Sequence, residues 1–347
     1  MPPVHYRPGA FPPQDSLDWA QLAPLIGPAS EAVARYDGLL AAMPDPDQLL
    51  YILSLQEAVV SSRLDGGRAT LGEVLEFEAG QRVDAPALRR DIQSTLDCHL
   101  ALGQAGDMLK ELPLCLGVMR AAHRVLLNGA QRPVQPPGEL RRGRVRVGWS
   151  GAAAGASGYA PIDADDLPDA VTRWERYLHE PAPDRLVQLA VLYAEFEALH
   201  PFAEGNGRLG RMLVPAFLWQ QGMIRRPVFA ISPCFETRRD LYHEALMPVF
   251  RDGDWLPWCR YFLEALRQQA GENLAKAQDI FDLYDRTTRH FAMTSRSPNT
   301  VEALTWLFGH PVVRSSDFTN DAGVPKRTAH RLLGALMEEG ILNEIRA

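Results

Sequence analysis

The clearest pattern in the chain is a pair of helical hydrophobic repeats separated by a short polar segment. The first repeat ends just before His200 and the second begins near Gly207. Apolar residues three and four positions apart predict a buried helix on each side of the segment. The two repeats are formed by Leu186, Leu189, Ala190, Tyr193, Phe196 and Leu199, and by Leu209, Met212, Leu213 and Phe217. The intervening Gly205-Asn206-Gly207 run therefore predicts a tight loop that opens onto a helix N-terminus.

Elsewhere the pattern predicts helices and very little strand. Residues 112–127 are predicted to be helical. Residues 144–149 alternate between polar and apolar side chains and lead into the glycine-rich stretch 151–158. This combination predicts a β-hairpin with a flexible tip, closing at residues 159–161. A hairpin that merely displays solvated arginines at the surface is the alternative interpretation.

The last fifty residues predict three short helices with a glycine-bearing turn. They cover residues 299–308, residues 316–322 and the stretch after Pro325, and together they resemble a winged helix-turn-helix. Residues 297–347 hold five Lys or Arg against six Asp or Glu, whereas a dedicated DNA binder is usually basic. A protein-interaction or dimer-assembly role is therefore favoured over DNA contact. The side chains predicted on the recognition helix are Lys326, Arg327, His330 and Arg331.

Composition narrows the class of protein. The 347 residues carry a net charge of −7, which suggests no general affinity for nucleic acid or anionic membranes. No apolar run reaches the roughly 18 residues that a membrane span requires, and the first residues lack the apolar core of a secretory signal. The four cysteines are widely spaced, which favours free thiols in a reducing compartment. We therefore expect a cytoplasmic protein with no membrane contact.

Residues 200–211 contain the most specific chemistry in the chain. They read His-Pro-Phe-Ala-Glu-Gly-Asn-Gly-Arg-Leu-Gly-Arg. Histidine can serve as a general base, and the backbone N–H groups at a helix N-terminus bind phosphates. A carboxylate and two arginines complete a set suited to holding a nucleotide while a hydroxyl is deprotonated. The alternative is a helix cap with solvated charges, which leaves the joint presence of these residues unexplained.

This run resembles the signature of the Fic/Doc family, His-x-Phe-x-(Asp/Glu)-Gly-Asn-Gly-Arg-x-x-Arg, at every defined position. The resemblance implies that His200 deprotonates a target hydroxyl, which attacks the α-phosphate of ATP. Glu204 would bind Mg²⁺, and Phe202 would serve packing alone. Phosphate-binding roles are implied for Gly205, Asn206 and Gly207 in the loop, for Arg208 at the β-phosphate and for Arg211 at the γ-phosphate.

A second resemblance concerns control of the same site. Residues 57–67 resemble the inhibitory helix of self-restrained Fic proteins, written (Ser/Thr)-x-x-x-Glu-(Gly/Asn). Ser61 and Gly66 fit that motif, but Asp65 stands where the family has glutamate. The family's glutamate pairs with the second motif arginine, here Arg211, so the shorter aspartate requires either a closer helix or a weaker clamp. An ordinary helix end capped by Gly66 is the alternative.

The resemblance implies a mostly α-helical protein with four parts. Residues 1–108 would form an N-terminal arm and helical region that includes the 61–66 motif, and residues 109–270 a Fic catalytic core with a small β-hairpin flap. Residues 271–290 would form a helical connector, and residues 291–347 a winged-helix-like domain. Tyr242 follows a stretch that lies over the adenine in relatives, so base stacking and ordinary core packing are both open for it.

The implied function is protein adenylylation, in which AMP passes from Mg²⁺–ATP to a Ser, Thr or Tyr hydroxyl of a target protein or of the chain itself. Gly207 favours this reaction, because the kinase-like Doc branch carries lysine there. The alternative is a nucleotide-sensing, DNA-binding regulator with little turnover, for which a general base at His200 would have no use. The target, the nucleobase preference, the removal of AMP and the oligomeric state, a homodimer included, stay open.

Overall fold

The chain folds almost entirely into helices, which confirms the predicted class. The computed structural model describes residues 4–7, 9, 11–13, 16–130, 133–148, 158–294 and 299–345. The helices found there are α1 (Trp19–Ala42), α2 (Pro46–Leu49), α3 (Tyr51–Leu64), α4 (Leu71–Glu78), α5 (Pro86–Met108), α6 (Leu116–Leu126), α7 (Leu167–His179), α8 (Arg185–Leu199), α9 (Asn206–Gln220), α10 (Ser232–Thr237), α11 (Arg239–Asp252), α12 (Leu256–Thr294), α13 (Thr300–Gly309), α14 (Ser315–Asp321) and α15 (Lys326–Glu338). The strands are β1 (Val4–His5) and β2 (Tyr159–Ala160).

Helix α8 lies at the centre of the main core. Every residue from Leu186 to Leu199 is buried, so the predicted buried helix is confirmed. Asp184 caps its first turn by accepting two backbone N–H groups at 2.9 Å. The indole N–H groups of Trp174 and Trp258, on α7 and α12, each donate to a backbone carbonyl of α8. A helix enclosed in this way gives its C-terminal end, where His200 follows, a fixed position.

Helix α12 connects the main core to the C-terminal helices. It runs for 39 residues, packs along α1 over the core and continues to α13. The helix is continuous through residue 270, where the sequence analysis divides the core from a connector, and that division stays a prediction. None of the described helices has the length and apolarity needed to cross a membrane.

Helices α13 to α15 enclose a small apolar cluster of their own. Phe291 at the end of α12 packs there with Leu304, Phe318, Leu332 and Leu336. All three predicted helices are present, but residues 299–345 form no strand, so a winged helix stays a prediction. The predicted recognition-helix side chains, Lys326, Arg327, His330 and Arg331, are exposed on α15.

The small strands meet beside the end of α8. Val147 and Tyr159 exchange both backbone hydrogen bonds at 3.0 Å, which confirms the base of the predicted hairpin. Its predicted tip lies, apart from Gly158, outside the described residues. The sequence pattern gave no sign of β1, which pairs in parallel with β2. Tyr6, the next residue, anchors this arm by donating its hydroxyl proton to Glu195 of α8.

Candidate active site

The backbone between α8 and α9 turns sharply twice. His200 adopts the left-handed conformation with φ 48° and ψ 62°, and it is the single non-glycine residue with positive φ among those described. Gly205 has φ 78°, and α9 begins at the next residue. The helix N-terminus therefore opens directly beside His200, as the hydrophobic pattern predicts.

Two buried side chains fix the loop from within. The Asn206 amide both accepts from the Phe202 N–H (2.9 Å) and donates to the Phe202 carbonyl (2.8 Å). The Phe202 ring is fully buried and stacks on His123 of α6, with centroids 4.2 Å apart, so its assignment to packing holds. Nδ1 of His123 accepts from the Gly138 N–H at 2.7 Å, so Nε2 carries the proton and donates to the Glu204 carbonyl at 3.1 Å. The sequence carries no signal for this role of His123, because no spacing relates it to the loop.

The imidazole of His200 lies in an environment that keeps it neutral. Its Nδ1 is 3.4 Å from the Tyr159 hydroxyl, whose own proton goes to the Glu197 carbonyl. Burial and, after it, the charge of Arg141 lower the pKa of His200 to about 4, although Asp65 acts in the opposite direction. A neutral imidazole at physiological pH can accept a proton, which is the state that a general base requires.

Asp65 contacts both arginines of the loop. Arg211 donates from Nη2 to Asp65 Oδ1 at 2.7 Å and from Nε to the Ser61 hydroxyl at 2.7 Å. The other carboxylate oxygen, Oδ2, lies 3.3 Å from Nε of Arg208. Arg208 also donates to Ser94 at 2.7 Å. Aspartate thus reaches the arginine that the family's longer glutamate would pair with.

Gly207 makes this close approach possible. A Cβ atom there would lie 2.8 Å from Asp65 Oδ1 and 2.9 Å from Nη1 of Arg211. Any side chain would have to displace the ion pair. Gly66, with φ +100°, ends the helix that carries Asp65 in a conformation that L-residues rarely adopt.

The predicted residues surround a cavity of about 380 Å³. His200, the loop at the start of α9 and Arg211 line it, and so do Val147 and Gly148 of the hairpin base. The residues from the sequence analysis that line the cavity are Asp65, Gly66, His200, Gly205, Asn206, Gly207, Arg211 and Tyr242. Ser61, Glu204 and Arg208 are not among its lining residues.

Aromatic side chains also line the cavity. Tyr242 and Phe235 line it with centroids 5.0 Å apart, and the Tyr242 hydroxyl lies 3.1 Å from that of Tyr193. Tyr242 therefore packs in the aromatic core and also borders the cavity, and its contact with a base stays a prediction. His243 and Arg239 are further lining residues.

Glu204 is the one candidate metal ligand in the loop. One of its oxygens accepts the Val134 N–H at 3.0 Å. The described residues contain no group of three His, Cys, Asp or Glu able to hold a metal by themselves. A single carboxylate fits a hard cation that brings other oxygen ligands with it, as Mg²⁺ does when it is bound to phosphates.

Two buried carboxylates near the site carried no sequence signal. Glu197 lines the cavity, and burial raises its pKa to about 7. Its Oε1 has no hydrogen-bond partner among the described residues. Glu57 of α3 accepts from two backbone N–H groups at the start of α10, at Ile231 and Ser232, and from the Ser232 hydroxyl. The proximity of Glu197 and Glu57 to the site follows from the packing of the helices, which the sequence pattern does not show.

Two known family models match this chain. The model described as "Fic/DOC family N-terminal" matches residues 23–107, and that described as "Fic/DOC family" matches residues 113–218. The protein adenylyltransferase Fic of Drosophila virilis is 27% identical over 177 residues, which are 50% of this chain and 33% of the relative. That of Drosophila persimilis is 29% identical over 178 residues, 50% of this chain and 31% of the relative. The chain thus spans about a third of the length of these curated relatives.

Solved structures show the same architecture. A Fic family protein from Desulfovibrio desulfuricans G20 superposes with a TM-score of 0.61 at 20% identity, covering 95% of this chain and 92% of the other. Fic-1 of C. elegans (residues 134–508) gives a TM-score of 0.54 at 17% identity, covering 77% and 74%. The two matched family models together include more than half of the 347 residues. By these matches, the chain belongs to the Fic/DOC family.

Proposed function

We propose that this protein transfers AMP from ATP to a Ser, Thr or Tyr hydroxyl of a protein, and that α3 restrains the reaction. The observation that carries the proposal is the shared cavity, where a neutral His200, the N-terminus of α9 and Arg211 face one volume. A general base beside an anion site is what attack of a hydroxyl on a phosphate requires. The adenylyltransferase name of the Drosophila relatives supports the same reaction.

In the proposed reaction, His200 removes the proton from the target hydroxyl. The oxygen then forms a bond to the α-phosphorus, the bond from that phosphorus to the α,β-bridging oxygen breaks, and pyrophosphate leaves with the electron pair. The backbone N–H groups at Asn206 and Gly207 are placed for the negative charge that develops, because they head α9 without intrahelical acceptors. AMP stays on the target.

Glu204 would hold Mg²⁺ together with the phosphates of ATP. The cation would supply charge neutralisation for the leaving pyrophosphate. What supports this part is the donor type, since one carboxylate beside a phosphate site is the usual protein contribution to a nucleotide-bound Mg²⁺.

The restraint would act by competition for arginine. Arg211 is buried and already satisfied by Ser61 and Asp65, and Arg208 lies against the same carboxylate. Phosphate groups could take these cations only by displacing Asp65. Charge-assisted hydrogen bonds contribute about 1.5–3 kcal/mol each, so removing the carboxylate should strengthen ATP binding by roughly 10- to 100-fold.

Labelling with α-³²P-ATP and Mg²⁺ tests the proposal directly. We expect weak labelling of the chain or of added protein substrate, stronger labelling with Asp65→Gly or Asp65→Asn, and none with His200→Ala. Asp37→Asn is the matched control, because Asp37 pairs with Arg225 and neither residue lines the cavity. ATP affinity, measured by calorimetry, should stay within a few-fold in His200→Ala.

Each outcome assigns a role. Undiminished labelling in His200→Ala would exclude this histidine as the base. Unchanged labelling and ATP affinity in Asp65→Asn would show that the carboxylate restrains nothing. If ATP fails to bind even to Asp65→Gly, while unlabelled UTP or GTP binds, the donor is another nucleotide.

A further inference from the structure

Arg141 is a buried cation that binds backbone carbonyls. The residue is 3% exposed, and it forms no ion pair with a carboxylate within the described residues. Burying a charge is costly unless hydrogen bonds compensate for lost hydration. The carbonyls that accept from its side chain are those of His200 (2.8 Å), Gly143 (3.0 Å), Leu199 (3.1 Å) and Ile162.

These acceptors share one location, the junction between α8 and the hairpin. Leu199 and His200 provide the last carbonyls of α8, which have no partner within the helix and carry the negative end of its dipole. The backbone N–H of Arg141 also donates to the Pro201 carbonyl at 2.9 Å. One residue thus holds three consecutive backbone carbonyls, centred on His200.

His200 needs such support because its backbone is strained. A left-handed conformation costs a residue with a Cβ atom about 1–2 kcal/mol, and it persists only where surrounding contacts enforce it. Glycine would avoid the cost but has no imidazole. A histidine at this position therefore has a strained, left-handed backbone, and a contact must hold the backbone in that conformation.

We propose that Arg141 is a positioning residue for His200, holding its backbone in the left-handed conformation so that the imidazole faces the cavity. The inference rests on the proposed function, in which His200 is the base. Without Arg141 the backbone relaxes toward negative φ and the ring leaves its place. A misplacement of about 1 Å in a reacting group can cost about 100-fold in rate.

The charge of Arg141 has a second effect on the same ring. The groups that act on the His200 ring are Arg141, Asp65, the Tyr159 hydroxyl and the Glu197 carbonyl. Of these, Arg141 disfavours the protonated imidazole, and Asp65 favours it. Removing Arg141 should therefore raise the pKa of His200 from about 4 toward its ordinary value.

The test compares Arg141→Met and Arg141→Lys with Arg142→Met in the full-length chain carrying Asp65→Gly. Arg142 is the neighbouring residue and forms an exposed pair with Glu139, which makes it a matched control. We expect transfer to fall about 100-fold in both Arg141 variants, with the ATP dissociation constant within about threefold, and no change in Arg142→Met. Lysine retains the charge but cannot reach four carbonyls in one fork.

A titration independent of activity separates this inference from the proposed function. The ¹⁵N signals of His200, identified by their loss in His200→Ala, should show an elevated pKa in Arg141→Met but not in Arg142→Met. If no version of the chain transfers AMP, the proposed function fails, and the titration still tests Arg141. An unchanged titration together with undiminished transfer would overturn the inference. So would a parallel loss of ATP binding and thermal stability in both variants, which would assign Arg141 to folding alone.

Discussion

At the scale of single residues, the pKa of a buried carboxylate near the site depends on how many hydrogen-bond donors it has. Glu57 accepts three hydrogen bonds, and its pKa is raised by burial only to about 6. Glu197 is buried as well, but its Oε1 accepts no hydrogen bond among the described residues. Burial raises its pKa to about 7, although the charge of Arg211 acts to lower it. Glu197 is therefore protonated in a large share of molecules at neutral pH.

This pKa makes the effect of Glu197→Gln depend on pH. The folded pKa is above the unfolded value of about 4.5, so the folded state binds more protons and loses stability as pH rises from about 4.5 to about 7. Removing the charge should stabilise the fold by on the order of 1–3 kcal/mol at pH 8 and by less than about 1 kcal/mol at pH 5. Urea unfolding of both proteins at the two pH values measures the difference.

The control for that series is Glu264→Gln, which changes an exposed carboxylate on α12. It should have the same small effect at pH 5 and pH 8. If Glu197→Gln stabilised the fold equally at pH 5 and pH 8, the pKa of Glu197 would be unshifted and its carboxylate would accept a hydrogen bond.

Residue chemistry was predictable where it lay within one short segment. His200, Arg208 and Arg211 follow from twelve consecutive positions and a helical repeat on either side. Arg141, His123 and Glu197 reach the same site from other helices or from the hairpin. Their roles depend on three-dimensional packing, which local spacing does not encode.

At the scale of elements, α3 is attached to α9 and α10 at several points that differ in strength. Glu57 caps the start of α10 from a fully buried position. Arg63 forms a two-pronged pair with Glu236 of α10, but these side chains are 45% and 32% exposed. Exposed pairs contribute about 0–1 kcal/mol, whereas leaving buried donors unsatisfied costs about 1–3 kcal/mol each.

We therefore predict that Glu57→Ala loosens α3 and Arg63→Gln does not. Hydrogen exchange of the α3 amides should rise about tenfold or more in Glu57→Ala and stay within about twofold in Arg63→Gln. AMP transfer should increase in Glu57→Ala, but less than in Asp65→Gly, because the contact between Asp65 and Arg211 is retained. Greater exchange in Arg63→Gln than in Glu57→Ala would reverse this ranking.

The helices of the core could be predicted from their periodicity, whereas β1 could not. Two residues are too few to show alternation, and the pairing of Val4 with Tyr159 joins distant parts of the chain. Helix α6 begins at Leu116 rather than near residue 112. Pro113 disfavours helical backbone at Leu112, and Cys115, the N-cap, is extended with φ −154° and ψ 170°.

At the scale of the whole molecule, the C-terminal helices contact both elements that flank α3. Gly309 at the end of α13 lies against Gln48 of α2, where a Cβ atom would come within 2.7 Å of that side chain. Arg314 donates to the carbonyl of Gly80, just after α4. The C-terminal helices therefore contact the elements that precede and follow α3, the proposed inhibitory helix.

Removing the Arg314 contact should affect this attachment alone. Arg314→Ala deletes one exposed hydrogen bond, so the free energy of unfolding should fall by about 1 kcal/mol or less. Hydrogen exchange should increase at residues 79–82 and 311–315, while α8 and α9 stay protected. Arg331→Ala, which changes an exposed side chain on α15, serves as the control. Faster exchange throughout α8 would show that the C-terminal helices support the whole core.

The contact of Asp65 with two arginines has a thermodynamic consequence. Two ligands that compete for one cation weaken each other by the same factor, whichever of them is the protein's own side chain. If a phosphate of ATP binds Arg211, bound ATP weakens the attachment of α3. The free energy of that effect equals the free energy by which α3 weakens the binding of ATP. The affinity for ATP then reports the stability of the contact between α3 and the arginines. A partner that binds α2 or α4 would change the ATP affinity and the stability of this contact together.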